Sequence, residues 1–301
     1  MNIRERLAAG RGAIPAAPFP PLQLTEDHRA EVLDFLAERP THTFGMAGFI
    51  HSNGITSAHN RGSFYGYRGA TGRLEGVALI GHHVLFETRC DAAIAAFAAL
   101  AQRCPNAYMV LGEQETVQAF WRYYTSGHDS ARLYCRELLF EQCQPACPQE
   151  PVPGLRLAAV DDLDLVVPAH AQTALAESGI DPLAVDPAGF RQRCARRVSQ
   201  GKTWVWIENG RLLFKADIIA DTPEVIYLEG IWVDPRERGK GYGLRCMSQL
   251  SELFLRRTAS ICLLVNDKFK SSHCFYHRAG FRFVTYYDTI YVEQTERAAA
   301  A

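Results

Sequence analysis

The sequence predicts an α+β protein of two mixed β-sheet domains in tandem, each flanked by helices. Three observations carry that prediction. A proline-rich segment divides the chain near its middle. The residues on either side run through the same order of strands and helices. The second half carries a glycine-rich loop between a strand and a helix. The 301 residues exceed the length at which chains usually split into domains.

The dividing segment is Gln144-Pro145-Ala146-Cys147-Pro148-Gln149-Glu150-Pro151-Val152-Pro153-Gly154, four prolines in eleven residues. Proline donates no amide hydrogen and fixes its own φ, so the stretch reads as an extended connector. The expected domains are residues 1–150 and 151–301.

Each half opens with a short strand and a helix. In the first, Leu22-Gln23-Leu24 runs into a helix with Val32, Leu33 and Leu36 on one face. In the second, Leu155-Arg156-Leu157 precedes the helix-start signal Asp161-Asp162 and then Leu163, Val166 and Val167. Hairpin signals follow in both. Phe64–Tyr67 and Leu74–Ile80 flank the Gly69–Arg73 turn, and Thr203–Ile207 and Leu212–Ala216 flank Glu208-Asn209-Gly210-Arg211. Next come a helix, a strand and a helix. In the first half these are an Ala-rich helix with Ile94, Phe97 and Leu100 on its stripe, Tyr108–Leu111, and a helix carrying Phe120 and Trp121. The second half ends correspondingly with Ile261–Val265 and a helix carrying Phe275 and Tyr276.

Composition narrows the function classes. Hydrophobic residues make up 48% and charged residues 22%, as in ordinary globular proteins. With 32 Lys+Arg against 33 Asp+Glu, no extended nucleic-acid footprint is expected. No apolar run reaches the roughly 18 residues of a membrane span, and Met1–Arg6 with its mixed charge makes a poor signal peptide. A cytoplasmic location without membrane or nucleic-acid partners is expected. Nothing in the sequence sets an oligomeric state. The nine cysteines are an odd, scattered set, which suits reduced thiols. Cys143 and Cys147 sit among prolines, so no metal is expected. His82 and His83 alternate across a strand end, which disfavours joint metal binding. Trp204 and Trp206 share one strand face and read as core.

The most specific signal is Leu228–Leu244. A β-rich run stops at Pro235, glycines alternate at 239, 241 and 243, and a helix follows with Leu244, Met247, Leu250 and Phe254 at helical spacing. A glycine turn entering a helix leaves amide N–H groups free, and missing Cβ atoms let an anion approach the backbone. With the helix dipole, and with Arg238 and Lys240 alongside, the loop suits a phosphate or pyrophosphate. Gly239-Lys240 is followed by Gly241, which excludes a Walker loop. The Gly-x-Gly-x-Gly spacing departs from the dinucleotide fingerprint.

Arg238-Gly239-Lys240-Gly241-Tyr242-Gly243 resembles the pyrophosphate loop of the GNAT superfamily of N-acetyltransferases, Gln/Arg-x-x-Gly-x-Gly/Ala. Leu264-Val265-Asn266-Asp267 and Phe275-Tyr276-His277-Arg278-Ala279-Gly280-Phe281 resemble its second signature. The resemblance covers roughly residues 154 to 293. The whole chain resembles two-domain GNAT proteins, so the implied fold is two tandem GNAT-like mixed-sheet domains. The N-terminal one (1–150) lacks the loop, which makes it a degenerate accessory domain.

The resemblance implies acetyl-CoA as acyl donor, no metal, and direct attack of an acceptor amine on the thioester. Its cofactor site would comprise backbone groups of Ile231, Trp232 and Val233 and the loop Arg238, Gly239, Lys240, Gly241, Tyr242, Gly243 and Leu244. Where the family often has Asn, this chain has Phe269, and Asn266 or Ser271 is the expected substitute. Tyr276 matches the tyrosine that protonates the leaving thiolate. For general base the choice is Glu229, which strict strand alternation would put on one face with Val233; Tyr227, on the same face, is the alternative acting through water. Glu177, Asp181 and Asp186 read first as a solvated loop; the resemblance places that loop where an acidic rim of an acceptor channel is the alternative. The acceptor is a small-molecule or peptide amine. A non-catalytic acyl-CoA sensor, or a transferase using another acyl or aminoacyl donor, is the alternative; the intact loop favours a CoA donor.

Overall fold

The computed structural model describes residues 19–125, 131–146 and 149–293. The chain forms two compact units. One runs to Leu138 and takes up the chain again at Thr285; the other is Leu139–Val284. The division thus precedes the expected one at 150, and the last strand returns to the first unit.

In the first unit, strands β1 (Leu22–Gln23), β2 (Gly62–Arg68), β3 (Leu74–Gly81), β4 (His83–Thr88) and β5 (Met109–Glu113) lie side by side in sequence order. The neighbour of β5 is not the next strand in sequence, β6 (Ala131–Gln142). It is the C-terminal part of β12 (Arg282–Val292), antiparallel with Tyr287 opposite Glu113 and Tyr291 opposite Met109. Helices α1 (Arg29–Ala37) and α2 (Pro40–Asn53) cover one face, burying Val32, Leu36 and Ile50 against Val77, Leu79 and Leu85. On the other face, α3 (Asp91–Ala101) and α4 (Gln114–Thr125) bury Phe97, Phe120 and Trp121 against Tyr67, Ala78 and Phe86. The hairpin, α3 and α4 therefore fall where the apolar spacing predicts. The rings of His82 and His83 lie 5.0 Å apart, closer than alternation implies, because His82 occupies the turn between β3 and β4.

The second unit repeats the plan. Strands β7 (Leu155–Leu157), β8 (Thr203–Glu208), β9 (Arg211–Asp221), β10 (Val225–Val233) and β11 (Ser260–Asn266) are neighbours in that order. Helices α5 (Leu163–Ser178), α6 (Pro182–Val185) and α7 (Pro187–Ser199) precede the hairpin. Leu163, Val166, Phe190, Cys194 and Val198 from α5 and α7 pack on Val205 and Leu212. On the opposite face, α8 (Tyr242–Phe254) sets Phe254 edge-on to Trp204 and Tyr242 edge-on to Trp206; Trp206 is buried as expected of core, whereas Trp204 is half-buried. The last helix is α9 (Lys270–Arg278).

The proline-rich segment belongs to this second unit rather than acting as a free connector. Arg245 on α8 donates to the carbonyls of Glu150 (3.1 Å) and Pro151 (3.0 Å). Gln249 accepts from the Val152 amide at 2.8 Å. Proline removes donors but leaves carbonyl acceptors, and α8 supplies their partners. Cys147 lies outside the described residues. Among those residues no group of three His, Cys, Asp or Glu is placed to hold a metal, and no helix is long and apolar enough to cross a membrane.

Candidate functional site

The site begins where two parallel strands part. Among the described residues, β10 and β11 pair through Val225–Tyr227 and Ser260–Cys262 and no further towards their C-terminal ends. A bulge lies in β10 at this point. Glu229 sits opposite Asp217 and Trp232 opposite Lys215, so Gly230 and Ile231 have no partner on β9. Gly230 takes φ +58°, a conformation glycine adopts without strain.

Beyond the bulge, the Asp234 amide donates to the Leu213 carbonyl on β9 at 3.0 Å. In an antiparallel ladder successive residues point their N–H and C=O groups to alternate sides. The amide and carbonyl of Val233 therefore face the open side, where Arg238 Nε donates to that carbonyl at 3.2 Å.

The glycine loop closes the end of this opening. Gly239 and Gly241 adopt φ +80° and +84°, and a Cβ built on either would meet nothing within 4 Å. The backbone is thus bare and exposed there, as a phosphate cradle requires. Gly243 serves packing instead: its Cβ would come within 3.1 Å of Val233 and 3.2 Å of Phe275. Helix α8 starts at Tyr242 without a side-chain cap, leaving its first amides to an incoming anion. Lys240 is engaged with Glu237 at 2.7 Å. Leu244 continues the first turn and is half-buried.

Other predicted residues fall outside the loop. The Trp232 indole donates to Gln172 on α5 at 3.2 Å, so its side chain belongs to the face opposite α8. Asn266 shapes the turn into α9: its Oδ1 accepts from the Lys268 amide at 3.0 Å, and its carbonyl accepts from the Phe269 amide at 3.0 Å. Ser271 is exposed near the start of α9. Asp181 and Asp186 cap helices, accepting from Leu183 (2.9 Å) and Gly189 (2.8 Å).

Tyr276 packs its ring among Phe140, Phe275 and Phe281. Burial pushes its phenol well above the usual tyrosine range, and the charge of Glu177 adds to the rise. Tyr276 and Glu229 are not joined by a hydrogen bond among the described residues.

Glu229 does not share a face with Val233, contrary to strict alternation. The bulge inserts an extra residue between Glu229 and Val233, so alternation is broken once. Glu229 shares the face of Asp217, Lys215 and Trp232, whereas Val233, opposite Phe214, lies on the face of α8. Tyr227 stays on the Glu229 face, because the irregularity between Tyr227 and Leu228 falls on β9.

Beneath Glu229 lies a buried charge cluster that the sequence reading missed. Lys215 and Asp217 are fully buried. Asp217 accepts from Lys215 (2.5 Å), Arg197 (2.9 Å) and Thr203 (2.8 Å). Lys215 also donates to the Gly230 carbonyl at 3.1 Å, pinning the bulge. The His170 ring, stacked on Phe190, has Nδ1 3.4 Å from Asp217 and Nε2 3.2 Å from Arg197. Those partners assign a neutral imidazole donating from Nδ1 and accepting at Nε2. Burial, with the cations Lys215 and Arg197, lowers the His170 pKa to about 3. Burial alone would raise the Asp217 carboxyl, but Lys215 and Arg197 outweigh it and hold it below the usual carboxylate range. Glu229 goes the other way: burial raises it, and Asp217 adds to the rise against the pull of Arg197. The available signal was Lys215-x-Asp217, two charges on one face of the apolar run Leu212–Ala220.

Residues 173–281 match the family model described as Acetyltransferase (GNAT) family. This chain carries a GNAT-family domain. The match joins the splayed strands, the bulge and the glycine loop to one fold. Solved structures extend the likeness along the chain. A GNAT-family acetyltransferase from Colwellia psychrerythraea is 12% identical, covering 91% of this chain and all of that one, with TM-score 0.54. A Drosophila protein is 13% identical over 91% of this chain and 99% of that one, with TM-score 0.64. A tandem GNAT protein from the clavulanic acid biosynthesis pathway is 12% identical over 92% and 98%, with TM-score 0.55. At these identities the likeness is one of fold, here a two-domain GNAT-like α+β fold. A search of curated proteins returned no match.

The first unit has the GNAT strand pattern without the GNAT cradle. β4 and β5 are parallel only through Leu85 and Leu111, as β10 and β11 are through Tyr227 and Cys262. Two residues beyond that pairing, Arg39 bonds Glu87 (3.0 Å) and Glu113 (2.6 Å), one from each strand. β4 passes through Arg89 and Cys90 straight into α3, with no glycine between. A salt bridge thus occupies the ground that the second unit leaves open.

Proposed function

We propose that the second unit is an N-acetyltransferase that uses acetyl-CoA and an amine acceptor. The general chemistry of the GNAT family is acyl-CoA-dependent acetyl transfer, and the observation that carries the reading here is the bare cradle at Gly239 and Gly241 beside the parted strands. The residues fit the donor. Amides of Gly239, Gly241 and the first turn of α8 would receive the pyrophosphate, with Arg238 alongside. The open side of β10 would pair with the pantetheine arm, and the Val233 amide would donate to the thioester carbonyl as charge develops on its oxygen.

Glu229 is the proposed base. A raised carboxyl is a stronger proton acceptor than an ordinary glutamate, and it removes the proton that keeps an ammonium from attacking. The neutral nitrogen then forms the new C–N bond as the C–S bond breaks. The second proton it sheds in becoming an amide passes through solvent to reprotonate Tyr276 after that residue has given its own proton to the sulfur; Glu229 releases the first to bulk water. Tyr276 supplies the proton to the departing sulfur. Burial strengthens the proton's hold on the phenol, and the same burial raises the proton affinity of the thiolate that receives it. Metal chemistry plays no part in this scheme, and the first unit is read as an accessory domain that holds no donor.

Calorimetry with acetyl-CoA, run beside a Gly241→Asp variant, tests the proposal. Binding is expected and should be lost in the variant. Binding without release of free thiol in the presence of any amine would favour an acyl-CoA sensor. Failure of the unmodified protein to bind would overturn the acetyl-CoA assignment.

A further inference from the structure

The charge cluster under Glu229 is incomplete in a way that points to the acceptor. Asp217 is one carboxylate shared by two cations, Lys215 and Arg197. Lys215 donates to Asp217 and the Gly230 carbonyl, with the protonated His170 Nδ1 3.4 Å away. Arg197 uses only Nη1, toward Asp217 and His170. Its Nε and Nη2 have no hydrogen-bond partner among the described residues, and its side chain is 24% exposed. The guanidinium is therefore held rigidly along one edge and open along the other.

Glu229 is the remaining acid nearby. Its charge is felt by Arg197, yet the two form no ion pair among the described residues, and no hydrogen bond engages the Glu229 carboxylate. A mostly buried cation whose counter-charge is taken twice over is costly unless a further anion completes it. The planar fork of arginine matches a carboxylate through two parallel bonds.

We infer that the acceptor is a small amino acid whose carboxylate is received by the free edge of Arg197 while its amine is presented to Glu229. The inference rests on the acyl-transfer reading and narrows it. Glu229 stands opposite Asp217 in the strand register and Arg197 bonds that same Asp217, so the carboxylate and amine of the acceptor must be close together, as in an α- or β-amino acid. A simple amine would leave Arg197 uncompensated, and a polycation would meet both Arg197 and Lys215.

The test uses the full-length protein saturated with CoA. The common amino acids and β-alanine are titrated by calorimetry beside their carboxamides and the decarboxylated amines. Acetylation by acetyl-CoA is followed for the same panel. At least one amino acid should bind and accept the acetyl group, with its carboxamide weaker by about 100-fold, the scale of a lost charge-assisted pair. Arg197→Lys, which keeps a cation for Asp217, should weaken the amino acid by about 10-fold or more while leaving the carboxamide and acetyl-CoA unchanged. Circular dichroism confirms that the variant is folded. If it is not, Glu229→Gln in the folded state should still bind the amino acid over its carboxamide while losing turnover.

Equal binding or acetylation of amino acids and their carboxamides would overturn the inference and leave the acyl-transfer reading standing. An equal loss of both ligands in Arg197→Lys would overturn it too, reducing Arg197 to a structural role. So would the absence of amino-acid binding to the CoA-saturated protein. A protein that does not bind acetyl-CoA would remove both readings together.

Discussion

Lys215→Met removes the ammonium that bonds Asp217 at 2.5 Å and the Gly230 carbonyl at 3.1 Å. The side chain is fully buried, so water cannot replace those bonds in a packed core. Removing one partner of a buried pair typically costs about 3–5 kcal/mol, and orphaning a carbonyl about 1–3 kcal/mol. Arg197 and Thr203 still hold Asp217, which places the expected loss near the lower end, about 3 kcal/mol. The assay is urea unfolding of Lys215→Met, Asp217→Asn and the double variant, read as a double-mutant cycle. A coupling of at least about 1.5 kcal/mol is expected for groups in direct contact. Because Lys215 also pins the bulge that orients Val233, the single variant should lower kcat as well. A coupling below about 0.5 kcal/mol, or full activity in Lys215→Met, would refute the role given to this pair.

Further outcomes follow from the same structure. Tyr276→Phe should lower kcat by about 10²–10⁴-fold, the range for a lost proton donor, with acetyl-CoA affinity unchanged by calorimetry; a normal kcat would remove Tyr276 as the acid. Glu229→Gln should flatten the acid limb of the kcat/KM profile: the raised Glu229 is protonated at low pH and becomes a base only as pH rises through its shifted value, so an unchanged limb would point to Tyr227 and water. Gly241→Ala adds no clash, since nothing lies within 4 Å, but an L-residue at φ +84° costs about 1–2 kcal/mol. Acetyl-CoA binding should therefore fall in Gly241→Ala and fall further in Gly241→Asp, a ranking that calorimetry checks. The second unit should lose stability as pH falls from 6.5 toward 3. His170 stays neutral when folded, with a pKa of about 3, whereas the unfolded chain takes up a proton at about 6.5. Thermal unfolding of His170→Gln should lack that part of the slope.

Local pattern determined much of this protein. The alternation in Thr203–Ile207, the helical spacing from Leu244 to Phe254, and glycines at 239 and 241 are patterns among neighbouring residues, and the structure has a strand, a helix and a positive-φ loop where they stand. The glycine loop was legible because backbone freedom at positive φ belongs to the residue itself.

Tertiary structure decided what depends on partners distant in sequence. One inserted residue between Glu229 and Val233 reversed a face assignment, because a bulge exists only relative to the strand opposite. The Pro-rich segment acquired partners from Arg245 and Gln249, which no property of proline foretells. The strand pairing of β12 with β5 moved the domain division, since ladder hydrogen bonds are indifferent to chain order. The Lys215–Asp217–Arg197–His170 cluster comes from two helices and a strand. Lys215 and Asp217 stand out in sequence only as charges within an apolar run, and burial in one small volume with Arg197 and His170 makes them interact strongly enough to shape a site.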